Sequence, residues 1–197
     1  MSEGPNGSGG FFAGMKWWHW LVGGILLLAL VTGGIFLLKR PKTVQSASMQ
    51  ARLELAAGEV TLEQGGSGGP GLSGVALLPE ATVKTGSGAR ALVRLSDGSA
   101  LFLRGGTAVR LGSERIELKS GEVWLDAPPA ERTGMVHQLG EITVFAADAG
   151  LSMKRTETGG VVYVARGTAT VSAPGGRSEV QAGMQALVEG KSAPALS

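Results

Sequence analysis

Residues 90–103, RALVRLSDGSALFL, decide how this chain folds. Ala91, Val93 and Leu95 fall on one side of an extended segment, the period-two signature of a half-buried strand. Asp97-Gly98 is the strongest tight-turn signal in the chain, because glycine supplies φ > 0 at no steric cost. The apolar run after it reads as a returning strand.

The same frame recurs on either side. Residues 54–63 read ELAAGEVTLE, residues 117–126 read ELKSGEVWLD, and residues 163–172 read YVARGTATVS. The shared pattern is apolar, two small or polar residues, glycine, any residue, then apolar at every second position. It predicts a strand, a tight turn at Gly58, Gly121 or Gly167, and a strand that returns beside the first. Ala182-Gly183 is a further, weaker signal of this kind. The copies are unevenly spaced, which excludes a regular solenoid. With Val161–Val171 alternating as well, the pattern predicts an all-β domain over 51–190. It is an irregular β-sandwich or β-roll of short strands and tight glycine turns, stacked as hairpins. The stretch 64–74, QGGSGGPGLSG, reads as a flexible insertion, and 127–132 as a proline-bearing turn; both read as solvated connectors.

The 33 glycines of the 197 residues act mostly as punctuation between short apolar runs. There is no cysteine, so disulfides, thiolate metal sites and a cysteine nucleophile are excluded. Past position 42 the chain carries 14 basic and 15 acidic residues, a near-neutral domain. That balance, with few aromatic residues, excludes the basic stripe of a nucleic-acid binder.

Residues 17–38, WWHWLVGGILLLALVTGGIFLL, hold no formal charge and are long enough to cross a bilayer as one helix. Trp17, Trp18 and Trp20 suit one headgroup level, Lys39 and Arg40 close the other end, and Pro41 stops the helix. His19 reads as an interfacial residue. A cleaved signal peptide fits less well, since the apolar stretch is long and runs into KRPK. Gly23-Gly24 and Gly33-Gly34 share roughly one helix face, which would let copies of the span associate. The organisation expected is a Gly-rich disordered tail (1–16), the span (17–38), a linker (39–50), the β domain (51–190) and a C-terminal tail (191–197). The basic residues after the span favour a cytoplasmic β domain by the positive-inside rule, although long domains translocate largely regardless of charge.

No catalytic constellation is legible. His137 is the one histidine outside the span, and beside a glycine turn it reads as a surface or edge residue. The Gly-rich 64–71 lacks the Lys-Ser/Thr of a phosphate loop and opens no helix. The expectation is a protein that is not an enzyme and needs neither cofactor nor metal.

The run LLPEATVKTGSGARALVRLSDGSALFLRGGTAVRL (77–111), followed by IELKSGEVWLD (116–126), resembles the FecR domain. The matching features are Thr85-Gly86 before an alternating strand, then Asp97-Gly98-Ser99, then Leu118, Gly121 and Val123. The flanking LELAAGEVTLE and the closing VVYVARGTATVSAPGG also fit. The resemblance implies an all-β extracytoplasmic domain on a single anchor, hence a periplasmic domain at the inner membrane. In regulatory members that domain senses an outer-membrane receptor, while a cytoplasmic N-terminal region controls a sigma factor. The tail of about sixteen residues is too short for such a helical region, leaving room for a short contact at Phe11-Phe12. The expected function is therefore binding of an envelope protein or cell-wall polymer by the β domain. Two alternatives are signalling to a sigma factor, and a structural assembly at the membrane.

Overall fold

The computed structural model of the chain describes residues 50–129 and 136–197. The expected span, with Trp17, Trp18, Trp20, Lys39 and Arg40, lies outside them. Among the described residues there is no helix, and sixteen strands form one sheet. In chain order they are β1 (Ala51–Ala57), β2 (Val60–Gln64), β3 (Ser67–Pro70), β4 (Val75–Leu77), β5 (Ala81–Thr85), β6 (Arg90–Leu95), β7 (Ala100–Leu103) and β8 (Ala108–Leu111). Then come β9 (Arg115–Ser120), β10 (Glu122–Ala127), β11 (Val136–Leu139), β12 (Ile142–Arg155), β13 (Gly159–Ala173), β14 (Gly176–Gln181), β15 (Gln185–Glu189) and β16 (Ala195–Leu196).

The sheet has two arms joined by the long β12–β13 ribbon. One arm runs β3-β2-β5-β8-β9-β11 into the first half of β12, then through the second half of β13 to β14. The other runs β4-β1-β6-β7-β10 into the second half of β12, then through the first half of β13 to β15 and β16. Both halves of the ribbon bend where the ladder slips, between Ala147 and Gly150 and opposite Arg166. The bend reverses the in-out parity of each strand. In β12 the buried set passes from Ile142, Val144 and Ala146 to Ala149, Leu151 and Met153; in β13 it passes from Val162 and Val164 to Ala169 and Val171. Parity must reverse there, since an inserted residue moves every later side chain to the opposite face.

Between the arms lies one apolar core. On its β1 side, Leu53, Val93, Leu101, Leu125, Leu151 and Val164 oppose one another strand by strand, each without solvent exposure. Facing them, Ala81, Leu111, Ile116, His137, Val144 and Val171 form the matching row of the other arm.

The recurrent glycine frame does not make hairpins, with one exception. Asp97-Gly98 does close the β6–β7 hairpin, with Asp97 Oδ1 accepting the Ser99 N–H at 2.8 Å. Gly58 and Gly121, by contrast, separate strands that pair with different partners: β1 with β4 and β6 but β2 with β3 and β5, and β9 with β8 and β11 but β10 with β7 and β12. Gly183 likewise lies between β14 and β15, which pair with opposite halves of β13, and Gly167 sits inside β13 at its bend. These four glycines are corners at which the chain changes arm. A local sequence frame specifies the sharp bend, while the partner each side takes is set by non-local packing. One further expectation is corrected: the stretch 64–74, expected as a flexible connector, contains β3, paired with β2 through Thr61↔Pro70 to Gln64↔Ser67. Within residues 191–197, β16 pairs with β15.

Candidate functional site

The corner at Gly121 belongs to a buried clasp that fixes one end of the molecule. Thr85 and Thr107 are both buried. The Thr85 hydroxyl donates to the Arg104 carbonyl at 2.5 Å and accepts the Thr107 N–H at 3.0 Å. The Thr107 hydroxyl donates to the Glu122 carbonyl at 2.9 Å and accepts the Glu122 N–H at 3.1 Å. Thr85 at the β5–β6 connection and Thr107 at the β7–β8 connection thus satisfy backbone groups of the β7–β8 and β9–β10 connections, tying together three crossings between the arms. Gly121 has φ 85° and lies so close to Thr107 that a Cβ would fall 2.5 Å from its Oγ1. Glycine is required there by conformation and by space. This explains physically why Thr85-Gly86 and Gly121 stand where they do in the motif.

Beside the clasp, the outer face of the β1–β6–β7–β10 arm carries a largely apolar row, interrupted at Ser152. Leu55 opposes Leu92, Leu92 opposes Phe102, Phe102 opposes Trp124, Trp124 opposes Ser152, and Ser152 opposes Tyr163. None of them is buried; Leu55, Phe102 and Tyr163 are 49%, 44% and 41% exposed. The Trp124 ring leans over Gly150, where a Cβ would meet its Cζ2 at 3.2 Å. Leu55, Leu92, Phe102 and Trp124 floor a groove of about 730 Å³, walled by Ser87–Ala89 and Gly105 and flanked by Arg90 and Arg104. Contiguous exposed apolar surface of this kind is characteristic of interaction sites.

Sequence reasoning missed this row. Its signal is present in the triplets Ala91-Leu92-Val93, Leu101-Phe102-Leu103 and Val123-Trp124-Leu125, where strict alternation fails because the outward residue is also apolar. Of the turn residues expected, Gly58, Gly98, Gly121, Gly167 and Gly183 all have φ between 73° and 88°. Asp97 and Gly98 lie at the opposite end of β7 from the clasp. They line no groove with the aromatic row.

His137 is not the surface or edge residue expected. It is 2% exposed, on the inward parity of β11 between Ile116 and Val144. Its Nδ1 has no hydrogen-bond partner among the described residues. Burial pushes its pKa down from 6.5 to about 4, with the charge of Asp97 acting in the other direction. A buried neutral imidazole packed among aliphatic side chains is a core residue, and no metal-holding group of His, Asp and Glu occurs among the described residues.

The FecR protein family model matches residues 81–183, from the start of β5 to the corner before β15. The chain belongs to the FecR family. Two crystal structures of a candidate anti-sigma factor from Parabacteroides distasonis ATCC 8503, at 1.65 Å and 2.50 Å resolution, share the fold. Each has a TM-score of 0.53, at 19% and 18% identity. Both alignments cover 59% of this chain and 58% of the other, so this FecR chain spans less than two thirds of the length of either structure. No curated protein matches it. The FecR match includes the clasp, the corner at Gly121 and most of the apolar row, with Leu55 lying before it.

Proposed function

We propose that this FecR-family chain is a membrane-anchored regulator whose β domain binds a protein partner on the extracytoplasmic side. The observation that carries this reading is the FecR match across residues 81–183, since it spans strands of both arms and the whole clasp. The apolar row supplies a surface suited to a partner, and the family supplies the regulatory role. The span expected at 17–38 would be the anchor and the lipid bilayer its surroundings, with the glycine pairs allowing self-association. Neither cofactor nor metal has a part in this reading.

Replacing residues 51–197 in the full chain by an unrelated exported domain tests it. The proposal expects a changed set of transcripts under envelope stress or nutrient limitation; an unaltered transcriptome overturns it. A reporter active only outside the cytoplasm, fused after Ser197, is expected to be active, and a stable but silent fusion would reverse the sidedness. The structural likeness to an anti-sigma factor favours a second reading, direct control of a sigma factor from the membrane's other side. Deleting residues 1–16 would then change the same transcripts.

A further inference from the structure

We propose that the groove over Leu55, Leu92, Phe102 and Trp124 takes a short extended protein segment in which a bulky apolar or aromatic side chain stands next to carboxylates. The inference rests on the partner-binding reading above and names the chemistry of that partner.

The floor is apolar and of defined length. Four side chains on four adjacent strands, spaced about 4.8 Å apart, make a track of roughly 14 Å, the reach of about four extended residues. The wall is pre-formed. A Cβ on Gly105 would strike the Ser87 carbonyl oxygen, so the two wall segments meet backbone to backbone. The Gly106 N–H donates to the Thr85 carbonyl at 3.1 Å, and the buried Thr85 hydroxyl holds Arg104 from behind. A wall already ordered does not have to be ordered on binding, which favours affinity.

The charge of the groove has one sign. Arg90 and Arg104 line it and no acidic side chain does. Arg90 makes no ion pair among the described residues, and Arg104, 73% exposed, makes a single 3.4 Å contact with Glu122. Two guanidinium groups beside an apolar floor complement a segment carrying carboxylates beside its apolar anchor.

The same lining disfavours the other occupants. A polysaccharide lying on aromatic rings needs side-chain acceptors for its ring hydroxyls as well as donors, and the groove offers donors at Arg90, Arg104 and Trp124 but no carboxylate, amide or imidazole acceptor, Ser87 being its one hydroxyl. A second copy packed by two-fold symmetry would place two arginine-lined patches together, at a cost in like-charge repulsion.

The test uses the full chain in lipid nanodiscs as bait for a display library of random twelve-residue peptides, followed by affinity measurement with the enriched peptides as synthetic probes. The expected result is enrichment of sequences with an aromatic or large aliphatic residue beside Asp or Glu. Their Kd should rise at least tenfold in Phe102→Ser and in the double variant Arg90→Glu/Arg104→Glu, and stay unchanged in Lys84→Glu on the opposite arm. Phe102→Leu, which keeps an apolar side chain, should lose less than Phe102→Ser and controls for folding. Enrichment of peptides without acidic residues, no enrichment, or binding indifferent to the groove variants would overturn the proposal. Binding of soluble peptidoglycan fragments that is lost in Phe102→Ser would overturn it in favour of a polymer. If the groove fails these tests while replacing residues 51–197 still alters transcription, the regulatory reading stands and only the groove is wrong.

Discussion

The two arms of the sheet share one core and differ on their outer faces. Across the β2–β5–β8–β9 arm one outward row is Glu63, Thr82, Arg110, Glu117, Gln138, Thr143, Ser172 and Arg177, polar in all eight strands, while two residues along β11 and β12 the same face places Val136 opposite Phe145. Across the β1–β6–β7–β10 arm the equivalent row is Leu55, Leu92, Phe102, Trp124, Ser152, Tyr163 and Gln185. The polar face has a hollow too, of about 860 Å³, but Glu63, Lys84, Arg110 and Lys119 line it, and Lys84 pairs with Glu63 at 2.6 Å. The two faces have the same fold-level constraint, alternate side chains pointing to water, so the fold does not account for their different composition. The polar row has the composition of a solvated surface, and the apolar row is the surface on which the proposed partner would dock.

If both arms depend equally on the shared core, Leu101→Ala on one and Leu111→Ala on the other should each destabilise by about 2–5 kcal/mol. Chemical denaturation of the two variants checks this. A loss confined to one arm's variant would mean that the arms are energetically separate.

The polar arm holds the buried His137, which should give it a pH response. With its folded pKa lowered to about 4 from 6.5, the native state binds fewer protons than the unfolded state between those values. The contribution is therefore fully favourable above about pH 6.5 and is lost as pH falls towards 4, by roughly 3 kcal/mol in all. His137→Leu should remove most of that slope from a stability-versus-pH curve; an unchanged slope would show that the acid loss arises elsewhere.

On the aromatic face, Gly150→Ala should crowd Trp124 and cost about 1 kcal/mol, with altered Trp124 fluorescence. A stability and an emission both unchanged would mean the ring is free to move. The smallest effect belongs to the polar face. Lys84→Ala removes an exposed ion pair and should shift stability by no more than about 1 kcal/mol, less at high salt.

Much of this architecture is legible in the sequence. Residues 90–103 specify their own hairpin because both strands and the turn are contiguous, and the all-β class follows from period-two alternation. The corners at Gly58, Gly121, Gly167 and Gly183 are legible as bends but not as arm changes. A bend is local, while β10 chooses β7 and β12 over β9 through packing of Val123 and Leu125 against distant strands. His137 was open to a correct reading, since it shares strand parity with buried Leu139. The apolar row was hidden for a different reason: its members lie tens of residues apart, and only the register of neighbouring strands aligns them.

The proposal makes the aromatic row, and not the polar row, the surface that binds the partner. Site-specific photo-crosslinking on the full chain in its native membrane tests it most directly, with a benzophenone residue placed at Phe102 or Tyr163 and, in parallel, at Thr82 or Gln138. The account predicts one discrete protein adduct from the first pair, abolished by Arg90→Glu/Arg104→Glu, and none from the second. An adduct formed from Thr82 or Gln138 but not from Phe102 or Tyr163 would contradict it.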